Sequence, residues 1–64
     1  MPFARIALPV PLHRYFDYVL PMSMKVVVGA RVLVPFGTQK RVGVVVDVVE
    51  QTDVPEEQLK PILS

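Results

Sequence analysis

The sequence contains no cysteine and no tryptophan, and it has a single histidine. Without cysteine the chain forms no disulfide, and one histidine alone argues against a structural zinc site. The apolar runs reach only about five residues, whereas a helix needs about 20 apolar residues to span a bilayer. No basic segment precedes a sustained apolar stretch, so a signal peptide is not indicated. We therefore expect a cytoplasmic protein with no membrane partner.

The arrangements that carry catalysis are also missing. Neither Ser23 nor Ser64 lies in a Gly-x-Ser-x-Gly motif, and there is no P-loop or dinucleotide-binding fingerprint. His13 has no metal-spaced acid near it, and Glu56 and Glu57 occupy a position typical of acids at the start of a helix. We therefore expect this chain not to be an enzyme and to bind no cofactor.

The residues that are present describe one small domain that covers residues 1–64. The apolar fraction of 52% is too high for a disordered tail. A chain of 64 residues buries only about 60% of its unfolded surface, so we expect marginal stability.

β-branched residues dominate every apolar run, which favours strands. We predict strands over residues 3–8, 16–20, 30–34 and 41–49, interrupted by prolines and by a turn at residues 35–38. Gly43 interrupts the longest strand and indicates a bulge or a sharp bend. Four or five short strands leave too few residues for two separate sheets. The sequence therefore predicts an all-β fold, a small curved β-barrel of the OB-like or Greek-key type.

After Glu50 the strand pattern of the sequence gives way to the signals of a short helical turn. Asp53 is a candidate N-cap, with Glu56 three residues later as in a capping box, and this predicts a short helical turn near residues 55–59. Residues 60–64 read as the beginning of another strand. We therefore expect the chain to be the N-terminal fragment of a longer protein, with a truncated last strand that could prevent it from folding alone.

The charge is distributed unevenly along the chain. Residues 1–46 carry six Lys and Arg against the single acid Asp17, a net charge of +5, whereas residues 47–64 carry a net charge of −4. This asymmetry indicates a face for a polyanion, with a salt-bridged surface as the alternative. Arg14, Lys40 and Arg41 are the candidate phosphate contacts.

The most informative segment is Arg14-Tyr15-Phe16-Asp17-Tyr18. Strand periodicity places Phe16 and Tyr18 on one face and Asp17 on the other. The alternative interpretation is a pair of core aromatics beside an ordinary exposed acid. A single carboxylate on a basic, aromatic surface suits an anionic ligand that offers one hydroxyl donor, such as a nucleic-acid strand end. Gly37, in the predicted turn, permits close approach of a ligand to the backbone.

Four segments in this order resemble the N-terminal domain of the PriA family of primosomal replication-restart helicases: residues 7–12, 16–18, 29–37 and 41–45. The resemblance implies a small β-barrel that binds the 3′-hydroxyl end of a nascent strand at a stalled replication fork, without base specificity. It also implies a pocket formed by Phe16, Asp17, Tyr18, Gly37 and Lys60.

The partners implied by the resemblance are the 3′ end of single-stranded DNA or forked DNA, and other primosome proteins through the full-length protein. The ATP-binding motifs, helicase lobes and zinc-binding cysteines of this family of ATP-dependent 3′–5′ DNA helicases are not in this sequence. ATP and zinc are therefore expected only in the remainder of the parent protein. An SH3-like protein-interaction barrel and a ribosomal-type RNA-binding barrel stay open as alternatives.

Overall fold

The computed structural model describes residues 1–64 and contains a single antiparallel sheet of four strands. The strands are β1 (Phe3–Ala7), β2 (Phe16–Val19), β3 (Arg31–Phe36) and β4 (Gln39–Val49), arranged in the order β2-β1-β4-β3. Each predicted strand overlaps an observed one, and the predicted all-β class is confirmed. No helix in the structure has the length and apolar character needed to cross a bilayer.

The connection between β3 and β4 is shorter than the turn predicted over residues 35–38. Phe36 pairs with Gln39, so only Gly37 and Thr38 form the turn. Gly37 has a φ of 60° and Thr38 does not have a positive φ, which is the pattern of a type II′ hairpin turn. Pro35 belongs to β3 and is tolerated there because β3 is an edge strand.

Of the bulge or sharp bend predicted at Gly43, the bulge is wrong in position, because the register shift lies three residues later. Arg5 pairs with Asp47 and Ile6 pairs with Val45, which leaves Val46 as the extra residue of β4.

Gly43 itself is paired regularly with Val32. A Cβ at this position would lie 2.8 Å from Leu8 Cδ2 and 2.9 Å from the Ala7 carbonyl oxygen, and closer still to Ile6 Cγ2. Glycine is needed here because the end of β1 packs directly against the backbone of β4.

The C-terminal segment, residues 60–64, joins the two edge strands of the sheet. Val19 of β2 donates its N–H to the carbonyl of Lys60 at 2.9 Å, and its own carbonyl accepts from Ile62 at 3.1 Å. Leu33 of β3 donates to the carbonyl of Ser64 at 2.8 Å. The predicted final strand is present only as one parallel bridge between Val19 and Pro61, yet the segment bonds to both edges of the curved sheet.

The core lies on the concave side of this sheet. Buried and more exposed residues alternate along the strands as expected: Ala4 and Ile6 are buried on β1, and Val32 and Val34 are buried on β3. The rest of the buried apolar cluster comes from β2 and the residue after it, from β4 and from the C-terminal segment: Tyr18, Leu20, Val45 and Ile62.

The short helix confirms the predicted turn but not its cap. It is a 3₁₀ helix, Glu56–Gln58, and its N-cap is Pro55, with no side-chain capping hydrogen bond. The capping box between Asp53 and Glu56 is therefore wrong. The local turn is instead stabilised by Thr52, whose Oγ1 accepts a hydrogen bond from the Val54 N–H at 3.2 Å.

Candidate nucleic-acid interface

A cavity of about 430 Å³ opens between β2, the β3–β4 turn and the loop that carries the 3₁₀ helix. Its volume lies within the range of roughly 300–1,000 Å³ that is usual for small-molecule sites. The five residues predicted to form a pocket all line it: Phe16, Asp17, Tyr18, Gly37 and Lys60.

These residues meet because β2 is bonded to both neighbouring segments. The Tyr18 hydroxyl donates to the Pro35 carbonyl at 2.7 Å, which ties the β3–β4 hairpin, and with it the Gly37 turn, to β2. The bond from the Val19 N–H to the Lys60 carbonyl at 2.9 Å ties the C-terminal segment to the same strand. Three stretches that are distant in the sequence are thereby held around one opening.

Asp17 is held by three hydrogen bonds, and its side chain is only 9% exposed. Arg5, its direct cross-strand partner, donates Nε to Oδ1 at 3.0 Å and Nη2 to Oδ2 at 3.3 Å. Thr52 donates its hydroxyl to Oδ2 at 2.7 Å. A carboxylate offers about four lone-pair directions, and these three bonds occupy two of them on Oδ2 and one on Oδ1.

These partners also set the charge state of Asp17. Burial on its own would raise the pKa of this carboxyl, but the hydrogen bonds from Arg5 and Thr52 and the charge of Arg5 outweigh burial. The net effect is a pKa below the usual value for aspartate, so the side chain is an ionised acceptor at neutral pH. The solitary acid of the sequence is therefore an ion-paired acid in the structure.

The aromatic residues of the cavity differ in what they expose. The Phe16 ring makes an edge contact with Phe36, with centroids 5.3 Å apart and planes at 85°, and the Arg14 guanidinium lies 4.5 Å from the Phe16 centroid. Tyr18 is 6% exposed, and burial raises the pKa of its phenol, so it stays a donor to Pro35. Phe16 and Phe36 are half-buried and line the cavity, whereas Tyr18 is buried and supports the cavity from the core side.

The candidate phosphate contacts lie in two places. Arg14 lines the cavity together with Lys60, whereas Lys40 and Arg41 are exposed on β4 and are not part of its lining. The only ion pair in the structure is Arg5–Asp17, so the alternative of a salt-bridged surface is not what the structure contains.

Sequence reasoning missed the residues that position Asp17 and several that line the cavity. Arg5 is 12 residues from Asp17 and Thr52 is 35 residues away, so only knowledge of the strand pairing would identify them. Asp53 and Gln58, from the loop that carries the short helix, also line the cavity. Their polarity was visible in the sequence, but nothing local indicated their location.

Comparison with known proteins identifies a family that this chain matches. Residues 5–64 match the family of PriA described as the 3′DNA-binding domain (3′BD). Over 64 residues the chain is 56% identical to the replication restart protein PriA of Haemophilus influenzae, covering all of this chain and 9% of that protein.

A second relative, the replication restart protein PriA of Buchnera aphidicola subsp. Acyrthosiphon pisum, is 32% identical over 62 residues, which is 97% of this chain and 8% of that protein. The chain therefore spans less than a tenth of the length of these relatives. The resemblance noted in the sequence is confirmed.

Proposed function

This chain belongs to the PriA 3′DNA-binding-domain family, and we propose that it binds the 3′-hydroxyl end of a DNA strand without base specificity. The observation that carries the proposal is one cavity whose lining brings together an aspartate, two phenylalanines, an accessible glycine turn and a lysine. The residues that supply these groups are Asp17, Phe16, Phe36, Gly37 and Lys60.

The proposed role of Asp17 is to accept the terminal hydroxyl. A free 3′-hydroxyl can donate to the remaining lone-pair direction of Oδ1, a charge-assisted bond worth about 1.5–3 kcal/mol. Within a continuous strand the same oxygen is esterified and has no proton to donate. A 3′-phosphate brings a negative charge to the carboxylate, and two like charges at about 4 Å repel by about 4 kcal/mol at an effective dielectric of about 20. Arg5 offsets part of this repulsion.

The aromatic residues account for the absence of base specificity. Stacking on an aromatic ring contributes about 1–3 kcal/mol per base, and every base has a face to offer. In the proposed complex the terminal base packs against Phe16 and Phe36, while the Tyr18–Pro35 bond holds the turn in place. The space around the Cβ position of Gly37 is open, so a sugar can approach the turn backbone closely.

Few phosphates take part in the proposed complex. Lys60 and Arg14 are the two cations at the cavity, while Lys40 and Arg41 lie outside it and would contact only longer strands. We therefore expect weak affinity for short oligonucleotides and a shallow salt dependence, equivalent to about one or two phosphates.

For the longer protein we propose that this domain holds the 3′ end of a nascent strand at a stalled replication fork. The remainder would supply the ATP-dependent 3′–5′ helicase, with its ATP and zinc sites, and the contacts with other primosome proteins. Tethering to the other DNA-binding parts raises the effective concentration of this domain at the fork, which compensates for its weak affinity.

The test compares two dinucleotides that differ only at the 3′ end. Circular dichroism and a cooperative thermal melt first establish that residues 1–64 are folded. Fluorescence anisotropy then measures binding of a 5′-labelled dinucleotide with a 3′-hydroxyl and of its 3′-phosphate counterpart. We expect the hydroxyl form to bind about tenfold tighter or more, as one charge-assisted bond predicts. Equal affinities would refute the proposal.

Two further ligands test the alternatives. Preferential binding of a proline-rich peptide would indicate a protein-interaction barrel. Tight binding of a structured RNA with a steep salt dependence would indicate an RNA-binding barrel.

A further inference from the structure

A second cavity, of about 560 Å³, lies directly beside the first. It is lined by Ala7, Leu8, Leu12, His13, Arg14 and Tyr15. Arg14 and Tyr15 line both cavities, so these two residues form the wall between them.

The chemistry of the shared wall matches the linkage between two nucleotides. Arg14 lies 4.5 Å from the Phe16 ring centroid and has no carboxylate partner, so its charge is available at the boundary. In a DNA strand the group between two consecutive nucleosides is an anionic phosphodiester, which a guanidinium binds well. Tyr15, with 60% of its surface exposed, offers an aromatic face at the same boundary.

We propose that the second cavity binds the penultimate nucleotide of the same strand, an inference that rests on the proposed function of the first cavity. The terminal nucleoside occupies the first cavity with its 3′-hydroxyl on Asp17. Its 5′-phosphate lies against Arg14. The preceding base enters the second cavity, where the rings of His13 and Tyr15 and the apolar side chain of Leu12 contact it.

Two prolines and one backbone hydrogen bond restrict the start of the loop that forms this cavity. Pro9 and Pro11 each fix φ, and the Val10 N–H donates to the Leu8 carbonyl at 2.9 Å, which closes a tight turn. Leu8 also packs against the buried core. A segment restricted in this way loses little conformational entropy when a nucleotide binds, which favours a preformed subsite.

The test separates the second nucleotide from the first. The ligands are a 5′-phosphorylated mononucleotide, dinucleotide and trinucleotide, each with a free 3′-hydroxyl, titrated into ¹⁵N-labelled protein and followed by NMR. We expect the mononucleotide to shift the signals of residues 16–18, 37 and 60. The dinucleotide should bind about fivefold tighter or more, as one added stacking contact predicts, and should also shift the signals of Leu12 and His13, which line only the second cavity. The third nucleotide should add little.

Two variants address only the second cavity, because Leu12 and His13 do not line the first. Both residues are exposed, so His13→Ala and Leu12→Ala should fold normally. We expect each to reduce the gain from mononucleotide to dinucleotide. Val27→Ala, at an exposed apolar position that lines neither cavity, is the matched control and should keep the full gain.

The outcomes distinguish the two proposals. Equal affinity for mononucleotide and dinucleotide, or a gain that both variants leave unchanged, would overturn the second site while the first stands. Failure of the mononucleotide to shift residues 16–18 would refute the proposed function itself. A response of Leu12 and His13 to an apolar peptide but not to the second nucleotide would overturn the inference in favour of a protein partner.

Discussion

Arg5 and Asp17 face each other across the β1–β2 strand pair and form an ion pair through two hydrogen bonds, of 3.0 and 3.3 Å. The pair fixes the carboxylate in one orientation and in its ionised form, which is what an acceptor for a sugar hydroxyl requires. The ion pair also links the side chains of β1 and β2, so Asp17 contributes to the stability of the sheet. Substitution of Asp17 therefore affects binding and stability together, and the two effects need separate measurements.

Asp17→Asn should remove most of the preference for a 3′-hydroxyl over a 3′-phosphate. The amide keeps the size of the side chain but lacks the negative charge that strengthens the bond to the hydroxyl and repels the phosphate. We expect the roughly tenfold ratio of the two affinities to fall towards one. Anisotropy titrations with the two dinucleotides measure the ratio, and a thermal melt shows how much of the variant is folded.

Asp47→Asn is the matched control for this substitution. Asp47 is the partner of Arg5 on the opposite side, in β4, and it is exposed and lines neither cavity. The change in net charge is the same. An equal loss of preference in both variants would show a general electrostatic effect rather than a contact with the strand end.

The ion pair also predicts how stability depends on pH. The pKa of Asp17 is lowered in the folded state, because the bonds from Arg5 and Thr52 outweigh burial. The unfolded chain therefore takes up a proton first as the pH falls below the ordinary aspartate value of about 4. The stabilisation is complete above that value and is lost as the pH falls further, through the lower folded pKa.

Thermal melts of the natural chain and of Asp17→Asn between pH 7 and pH 2 measure this loss. The difference between their melting temperatures should be constant down to about pH 4 and should narrow below it. The other acids are common to both proteins and cancel in the comparison. A difference that does not change with pH would contradict the linkage.

The features that could be predicted from the sequence are those set within a few residues. Prolines follow the ends of β1 and β2, alternation places Phe16 and Tyr18 on one face of β2, and Gly37 supplies the positive φ of a turn. Ile6 pairs with Phe16 and Ala4 with Tyr18, which confirms the predicted face. The pocket of Phe16, Asp17, Tyr18, Gly37 and Lys60 was implied by the resemblance and not by these local rules.

The features that could not be predicted depend on which strands pair. The bulge at Val46 is defined by a shift in the register of β4 against β1, a strand about 40 residues earlier. Nothing in the sequence around Gly43 or Val46 indicates that β1 is the partner strand. The partners of Asp17 lie 12 and 35 residues away. The charged partner of Asp17 is therefore Arg5, across the sheet, and not Arg14, which lies three residues away in the sequence.

Tyr18→Phe should destabilise the domain and weaken binding of the strand end. The substitution removes the donor to the Pro35 carbonyl and with it the side-chain bond between β2 and the β3–β4 hairpin. The loss of one such bond costs about 0.5–1.5 kcal/mol, and each kcal/mol corresponds to roughly 4–8 °C in the melting temperature of a domain of this size. Tyr15→Phe is the control, because the exposed Tyr15 hydroxyl makes no hydrogen bond within the domain, and it should leave the melting temperature unchanged.

Gly43→Ala should destabilise the domain by about 1–3 kcal/mol, as expected for overpacking of a filled core. The new Cβ would overlap Ile6 and Leu8 and would press on the Ala7 carbonyl oxygen. Urea denaturation measures the loss. Leu8→Ala removes one of the overlapping atoms, so the double variant Gly43→Ala/Leu8→Ala should lose less stability than the sum of the single changes.

Gly29→Ala, combined with Leu8→Ala, provides the comparison for this double-mutant cycle of Gly43→Ala and Leu8→Ala. Gly29 has a φ of 96° and open space around its Cβ position, so its substitution costs backbone energy but creates no overlap. Its effect should add to that of Leu8→Ala without coupling. Coupling of the same size in both cycles would show that the contact with β1 is not the cause.

Lys60→Ala tests whether the affinity depends on a cation at the cavity. The Lys60 carbonyl that bonds to Val19 is unaffected, so the fold should be retained. We expect weaker binding of the 3′-hydroxyl dinucleotide and a salt dependence that is shallower by about 0.7 in the slope of log K against log salt, the contribution of one phosphate contact in a single strand. Lys40→Ala removes the same charge from an exposed position outside the cavity and should change neither quantity for a dinucleotide. If both variants lose affinity equally, diffuse attraction by the basic half of the chain, and not a contact made by Lys60, accounts for the binding.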